Sequence, residues 1–222
     1  MKKFVIIVAG GSGQRMGTDL PKQFLELCGK PILMHTLQRF VDFDPKAEII
    51  LVLPESQQQL WQALCIKYSS ALIHRVVSGG QTRFHSVQNG LKLVDEDSLV
   101  MIHDGVRPLV SEDTLSRCCQ MALDKGNAIP VLPVNESLRM IKGQENVAVD
   151  RSLYFSVQTP QTFISGQILK AFEQPYEVTF TDDASVAERA GFTIHLVQGN
   201  TTNIKITTPT DLVIAEAFLK EK

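Results

Sequence analysis

The sequence predicts an α/β fold in which helices flank a mostly parallel, twisted sheet. Short runs rich in β-branched residues alternate with amphipathic stretches of helical length, a rhythm typical of βαβ units. With 222 residues and 44% hydrophobic content, the chain is long enough for one large core, so we predict a single domain over residues 1–222. The first elements are predicted as strand 4–9, helix 31–41, strand 48–53, helix 56–68, strand 72–77, helix 84–94 and strand 99–103.

Helix-boundary residues agree with this pattern. Pro31 suits a first helical turn, and Ser111 is placed to cap a helix over 112–125 that Gly126 would end. Thr208 and Pro209 are expected to begin the C-terminal helix. The second half also contains predicted helices at 165–174 and 182–190 and predicted strands at 193–197 and 204–206.

The alternation of strands and helices is interrupted between residues 130 and 158. Runs at 138–141 and 147–149 flank a turn-like segment, a pattern that predicts a β-hairpin arm. A lone two-stranded ribbon is marginally stable in water, so the arm is expected to pack on another surface. A second copy of the chain is the simplest such surface, and we therefore predict a homodimer.

Composition excludes several classes of partner. The formal net charge is −2, which gives no reason to expect nucleic acid or an anionic membrane as a partner. The apolar run at 4–9 has the length of a strand, and no stretch approaches the ~20 residues that span a bilayer. The four cysteines form no CxxC pair, so reduced core thiols and a cytoplasmic location are expected.

A glycine-rich loop directly follows the first predicted strand. It places small residues at the carboxyl end of a strand, where open α/β sheets bind ligands and amide groups approach phosphates closely. The spacing fits neither the dinucleotide fingerprint nor the P-loop. Two cations, Arg15 and Lys22, belong to the same segment, and charge at an attacked phosphorus and at leaving pyrophosphate is what nucleotidyl transfer needs. The alternative to a phosphate-binding loop is a tight turn in which Arg15 and Lys22 are simply solvated.

At this point the sequence resembles the cytidylyltransferase family that makes CDP-methylerythritol in non-mevalonate isoprenoid synthesis. The resemblance runs along essentially the whole chain, and several ordered motifs are more specific than any one of them. The motifs are VAGGSGQRMG at 8–17, PKQF at 21–24, SGGQTRFHSV at 78–87, HDGVRP at 103–108, VDR at 149–151, TPQ at 159–161, TDDAS at 181–185 and NIKIT at 203–207.

The resemblance implies a Rossmann-like, nucleotide-diphospho-sugar transferase-like fold and direct transfer of CMP from CTP to a phosphorylated polyol, with Mg²⁺ or another divalent cation bound with CTP. Arg15 and Lys22 would stabilise the transition state at the α-phosphorus. The residues implied to bind CTP are Ala9, Gly10, Gly11, Gly13, Gly79, Gly80, Gln81 and Ser86. Those implied to position the acceptor are Asp104, Arg107, Ser137, Arg151, Thr159, Thr181 and Lys205.

Some of these positions also have simpler interpretations. Asp104, at the end of a predicted strand, faces the same crevice as the glycine loop and is a candidate Mg²⁺ ligand, or it caps its own turn. Arg151 is either a phosphate ligand or a solvated hairpin charge, and Lys205 alternates with apolar neighbours as in any half-buried strand. Asp182 and Asp183 are interpreted as N-terminal helix residues.

Three departures from the family pattern bear on the site. Gln81 stands where an acidic residue is usual, Gly105-Val106 replaces two alanines, and Glu136-Ser137 replaces an Asp-Thr pair. With Gln81 at this position, how the chain would recognise the cytosine base is left open.

Two other functions compete with this one. Ribitol 5-phosphate cytidylyltransferases share the loop and the HD-x-x-RP element, and a CTP-binding regulator without turnover is the non-enzyme alternative. A mere binding module would have less need of both Arg15 and Lys22.

Overall fold

The computed structural model describes residues 1–11 and 20–220. Its strands are β1 (Lys3–Val8), β2 (Glu26–Leu27), β3 (Lys30–Pro31), β4 (Glu48–Leu53), β5 (Arg75–Ser78), β6 (Leu99–Asp104), β7 (Asn127–Pro133), β8 (Leu138–Lys142), β9 (Glu145–Val149), β10 (Phe155–Val157), β11 (Gln161–Ile164) and β12 (Leu196–Gln198). Its helices are α1 (Ile32–Phe43), α2 (Glu55–Lys67), α3 (Arg83–Leu91), α4 (Glu112–Lys125), α5 (Ser165–Ala171), α6 (Asp183–Arg189) and α7 (Pro209–Lys220).

The central sheet is mainly parallel and has the strand order β10-β7-β11-β6-β1-β4-β5, and β12 also pairs with β7, in parallel. Strands β6, β1, β4 and β5 run parallel to one another. All six residues of β6 are buried, as expected for a central strand that helices cover on both faces. The α/β prediction is therefore confirmed.

Helices pack on both faces of this sheet. Leu37 of α1, Trp61 of α2 and Leu115 of α4 join one buried cluster, whereas Val87 of α3 and Ile168 of α5 join the cluster on the opposite face. The sheet thus lies between two apolar layers, and its strand ends are the natural place for a crevice.

The antiparallel half of the sheet is what the sequence pattern did not predict. Strand β11 is antiparallel to both β6 and β7, and β10 is antiparallel to β7. A cis peptide bond between Thr159 and Pro160 lies between β10 and β11. Because β7 and β10 belong to the central sheet, the projecting hairpin is only β8 and β9, narrower than the predicted 130–158 segment.

The hairpin itself is as predicted. Strands β8 and β9 pair antiparallel from Leu138–Val149 to Lys142–Glu145 and form a sheet of their own. Gly143 takes a positive φ of 62° in the connecting turn, a conformation that glycine adopts without strain.

Other boundaries divide into confirmed and wrong predictions. Ser111 Oγ accepts a hydrogen bond from Thr114 N, and Gly126 ends α4 with φ 94°, both as predicted. The predicted strand at 204–206 is wrong, since these residues form no strand. Ile206 is instead fully buried, and its amide donates to Val106 O at 3.0 Å. The apolar residues that alternate with Lys205 therefore anchor an irregular segment to the core and do not mark a strand.

Candidate active site

A cavity of about 460 Å³ opens at the carboxyl ends of β1, β4 and β6. The chain order reverses between β1 and β6, which makes this the topological switch point where open α/β sheets bind ligands. Its described lining consists of Val8, Ala9, Gly10, Gly11, Lys22, Gln23, Pro54, Glu55, Gly79, Gly80, Gln81, Thr82, Arg83, Ser86, Asp104, Val106 and Lys205. Most of the residues predicted to bind CTP therefore share one cavity. Gly13 and Arg15 lie outside the described residues.

Lys22 lies against the glycine loop. A Cβ added to Gly11 would stand 3.1 Å from Lys22 Cε and 3.5 Å from Nζ, so the end of the lysine side chain runs close along the loop backbone. The neighbouring Gln23 is fully buried, and its Nε2 donates to Ala9 O at 2.8 Å and to Gln57 Oε1 at 2.6 Å. These bonds fix the Lys22 segment to the end of β1.

The 79–82 loop forms the opposite wall through its backbone. Gly79 N donates to Leu53 O at 2.8 Å, and Gly80 N donates to Ser86 Oγ at 3.0 Å. A Cβ on Gly80 would lie 2.3 Å from His85 Cβ, closer than any real contact. The loop therefore needs glycine at position 80 to start α3 where it does.

Asp104, the last residue of β6, is surrounded by cations. Lys205 Nζ lies 3.0 Å from its Oδ2, Arg107 Nε lies 3.2 Å from the same oxygen, and Arg83 Nε lies 3.7 Å from Oδ1. Burial alone would raise the pKa of Asp104, but the three cations outweigh it, so the pKa lies well below its usual value. Asp104 is ionised at neutral pH. Because its oxygens already face three cationic side chains, its role is better explained as holding these cations than as binding a metal.

Sequence reasoning gave Arg83 and Asp183 no role at the site. Arg83 Nη1 and Nη2 donate to the two carboxylate oxygens of Asp183 at 2.8 and 2.7 Å. Burial alone would lower the pKa of Arg83, but the carboxylates of Asp183 and Asp104 raise it above its usual value. Asp182 does cap α6, with its side chain accepting from Ser185 N, whereas Asp183 is fully buried in the ion pair. The sequence signals available for this pair were an arginine directly after the GGQT segment and two consecutive aspartates after Thr181.

A second cavity of about 290 Å³ adjoins the first. The two share Arg83, Asp104 and Lys205. Its described lining consists of Arg83, Asp104, Arg107, Val157, Gln158, Thr159, Gln161, Thr181, Asp182 and Lys205. The structure thus brings Arg107, Thr159, Thr181 and Lys205 together beside the glycine-lined cavity.

His103 lies behind this second cavity in a closed hydrogen-bond chain. Its Nε2 lies 3.0 Å from Arg107 O, a carbonyl that can only accept, and its Nδ1 lies 3.0 Å from Thr159 Oγ1. The Thr159 hydroxyl therefore donates to Nδ1 and accepts from Asp104 N at 3.1 Å. Burial lowers the pKa of His103 to about 4. The imidazole is neutral at pH 7 and holds the wall of the cavity in place.

Two predicted acceptor residues line neither cavity. Ser137 and Arg151 are exposed on the arm side of the chain, and Arg151 Nη1 donates to Asn135 O. Within a single chain, the structure does not place them with Lys205.

Metal ligands and membrane spans can be assessed only over residues 1–11 and 20–220. In that part of the chain, His, Cys, Asp and Glu form no group of three that could hold a metal ion. The helices there are all too short or too polar to cross a bilayer.

The mainly parallel sheet and the glycine-lined cavity at its switch point define a doubly wound α/β protein, a class that binds its ligands in this crevice. A family model described as 2-C-methyl-D-erythritol 4-phosphate cytidylyltransferase matches residues 3–221, and the chain belongs to that family. A protein of this name from Porphyromonas gingivalis is 53% identical over 220 residues, covering 98% of each chain. One from Bacteroides thetaiotaomicron is 51% identical over 219 residues, covering 99% of this chain and all of the other.

Solved structures agree with the sequence relatives. The 2-C-methyl-D-erythritol 4-phosphate cytidylyltransferase of Thermus thermophilus superposes with a TM-score of 0.80 at 32% identity, covering 99% of this chain and 100% of the other. The 4-diphosphocytidyl-2C-methyl-D-erythritol synthase of Anaerococcus prevotii gives a TM-score of 0.82 at 29% identity, covering 99% and 98%. The resemblance noted from the motifs is therefore confirmed over the full fold.

Proposed function

We propose that this chain transfers CMP from CTP to 2-C-methyl-D-erythritol 4-phosphate and releases pyrophosphate, a step in isoprenoid precursor synthesis. The observation that carries the proposal is the pair of adjoining cavities, one lined by glycines and Lys22, the other by Lys205, Arg107 and Thr181. Such a pair suits a nucleotide and a phosphorylated acceptor held side by side, in a chain of this family.

The chemistry is an in-line displacement. An oxygen of the acceptor phosphate attacks the α-phosphorus of CTP, a new P–O bond forms, and the bond to the bridging oxygen of the leaving pyrophosphate breaks. The acceptor phosphate is already ionised, so no general base is required. His103 is neutral and occupied by two hydrogen bonds, which agrees with a reaction that needs no histidine.

The nucleotide is assigned to the glycine-lined cavity. Lys22, together with Arg15, would stabilise the charge that develops on the α-phosphorus and the leaving group. Backbone groups would bind the triphosphate, ribose and base at Ala9, Gly10, Gly11, Gly13, Gly79, Gly80, Gln81 and Ser86. Gln81, the departure from the usual acidic residue, would offer an amide to the ribose or base.

The acceptor is assigned to the second cavity. Lys205 and Arg107 would face its phosphate, while Thr159 and Thr181 border the space left for the polyol. Lys205 is the main candidate, because it lines both cavities and would lie between the two reacting phosphates, whereas Arg83, which also lines both, is bonded to Asp183.

A divalent cation such as Mg²⁺ would enter with CTP. The described residues do not fit a resident metal site, because Asp104 is engaged by three cations. We therefore place the ion on the triphosphate oxygens, a mode that suits Mg²⁺ because it keeps waters and few protein ligands. Bound there, it would neutralise phosphate charge.

The arm would join two copies of the chain. Ile141, Leu153 and Phe155, on and beside the arm, are 72%, 76% and 48% exposed in a single chain, and such an apolar group is a typical protein-contact surface. A dimer would also explain why Arg151 and Ser137 line neither cavity of their own chain, since the partner's Arg151 and the partner's Ser137 could reach the acceptor. Light scattering at micromolar protein tests this, and a monomeric mass would contradict it.

The reducing cytoplasm is the proposed location. All four cysteines have free thiols, as expected where disulfides are rare.

The activity is tested by pyrophosphate release from CTP and Mg²⁺, with 2-C-methyl-D-erythritol 4-phosphate and ribitol 5-phosphate as parallel acceptors. Release with the first alone supports the proposal. Release with ribitol 5-phosphate alone keeps the chemistry and changes the acceptor, and no release with either favours a CTP-binding regulator. A reaction without Mg²⁺ but with EDTA gives the cation requirement.

A further inference from the structure

Arg83 and Asp183 form a bidentate ion pair beside both cavities. Their nitrogen–oxygen distances are 2.8 and 2.7 Å, and the Asp183 side chain is about 1% exposed. A buried carboxylate in this setting depends on its partner, because removing the partner leaves an uncompensated charge.

The pair connects the two sides of the site. Arg83 is the first residue of α3 and directly follows the 79–82 loop of the glycine-lined cavity. Asp183 is the first residue of α6 and directly follows Thr181 and Asp182 of the second cavity. Gln161 holds the same end of α6, with its Nε2 donating to Asp182 Oδ2 and its Oε1 accepting from Ala184 N.

The direction of the Arg83 fork decides how Asp104 is shared. Both terminal nitrogens of Arg83 are taken by Asp183, so only Nε faces Asp104 Oδ1, at 3.7 Å. The other oxygen, Oδ2, is left to Lys205 at 3.0 Å and Arg107 at 3.2 Å. A released guanidinium could bond both Asp104 oxygens, because its planar fork matches a carboxylate. That would displace the Lys205 ammonium.

We propose that Arg83 is a positioning residue: held by Asp183, it leaves Asp104 Oδ2 to Lys205 and so keeps the Lys205 ammonium placed for the acceptor phosphate. This inference rests on the proposed function for the identity of the acceptor. The arrangement of the Arg83, Asp183, Asp104 and Lys205 side chains is independent of the proposed function. Asp183 therefore acts on the substrate only through Arg83, Asp104 and Lys205.

Steady-state kinetics of two variants test the inference. Asp183→Asn keeps the volume and releases the Arg83 fork. Arg83→Lys keeps the charge but loses both the bidentate pair and the Nε contact to Asp104 Oδ1, so the Asp104 carboxylate is free to turn away from Lys205. In both, we expect KM for 2-C-methyl-D-erythritol 4-phosphate to rise about tenfold, the loss of one charge-assisted contact, with KM for CTP within about twofold. Arg189→Lys is the matched control, because Arg189, the last residue of α6, forms an exposed ion pair with Glu177 at 3.0 Å.

A purely structural ion pair gives a different result. It would lower the melting temperature and the amount of active enzyme while leaving both KM values unchanged, and that outcome overturns the inference. An equal rise in both KM values overturns it as well. Should Asp183→Asn fail to fold, Arg83→Lys decides alone by the same criteria.

A measurement without turnover separates this inference from the proposed function. The ¹⁵N signal of the Lys205 ammonium, assigned with Lys205→Met, is expected to shift in Arg83→Lys and Asp183→Asn and to stay in place in Arg189→Lys. If wild-type protein turns over neither acceptor but the Lys205 signal responds, the proposed function fails and the positioning stands. A Lys205 signal unchanged in both variants overturns the positioning, whatever the activity.

Discussion

Lys205 Nζ lies 3.0 Å from Asp104 Oδ2 at the boundary between the two cavities. The two residues come from distant parts of the chain, the end of β6 and the irregular segment before α7. An ammonium that is already oriented by a carboxylate loses little further freedom when a phosphate binds. This contact is why we give Lys205 the central place among the acceptor residues.

Replacing Lys205 with methionine is expected to affect the acceptor more than the nucleotide. KM for the phosphorylated polyol should rise about 10- to 100-fold, because a charge-assisted contact to phosphate is lost, whereas KM for CTP should change less than about twofold. Initial rates with each substrate varied in turn give both values. Lys92→Met, an exposed lysine whose Nζ donates to Asn89, is the control and should match wild type. A larger effect on CTP would place Lys205 at the nucleotide instead.

The Lys22→Ala variant is expected to lose turnover but not CTP binding. Removing a cation that acts mainly in the transition state should lower kcat by at least about 100-fold, whereas the dissociation constant of CTP, measured by calorimetry, should rise less than about tenfold. The exposed Lys46→Ala serves as control. Equal losses in kcat and CTP affinity would contradict the transition-state role.

Local signals in the sequence were sufficient for the parallel half of the fold. The uninterrupted apolar run of β6 and the Ser111 and Gly126 caps of α4 are decided by neighbouring residues, and each was predicted within a residue or two. The antiparallel strands β10 and β11 were missed because their pairing with β7 is non-local, and nothing in a three- or four-residue run specifies a distant partner.

The site divides in the same way. The glycine loop and the residues around Asp104 could be found because their motifs follow strand ends. The Arg83–Asp183 pair joins residues that are 100 positions apart, and Asp183 looked like an ordinary N-terminal helix residue. Its burial, which the sequence does not encode locally, is what makes it different.

Gly80 is expected to tolerate no side chain. In Gly80→Ala, the new Cβ would meet His85 Cβ at 2.3 Å and His85 C at 2.9 Å, so the loop or the start of α3 must move. We expect the free energy of unfolding to fall by about 1–3 kcal/mol, the usual cost of overpacking, and CTP affinity to fall with it. Urea unfolding and calorimetry measure the two effects.

Gly166→Ala is the matched control for Gly80→Ala. Gly166 lies in α5, and nothing stands within 4 Å of its added Cβ. Alanine is the better helix former by about 1 kcal/mol, so this variant should be as stable as wild type or more so. A Gly80→Ala protein that matches Gly166→Ala would contradict the close approach of the loop to His85.

His103 is expected to make the fold sensitive to acid. Burial lowers its pKa from 6.5 to about 4 in the folded chain, so between these values the unfolded chain binds a proton that the folded chain does not. Stability is therefore lost as pH falls from about 6.5 towards 4, by at most about 3 kcal/mol from this residue. Below pH 4 both states are protonated and the loss stops growing.

The contribution of His103 can be isolated with His103→Gln, whose amide can still donate to Arg107 O but does not titrate. The variant should be less stable at pH 7, because the Thr159 hydroxyl loses its acceptor. Its free energy of unfolding, from urea titrations at pH 7, 6, 5 and 4.5, should decline less steeply than that of wild type. Parallel curves for the two proteins would mean that other buried groups, such as His35 and His74, whose pKa values burial also lowers, cause the acid sensitivity. In that case the pKa of His103 would be the same in the folded and unfolded chains, and the prediction is wrong.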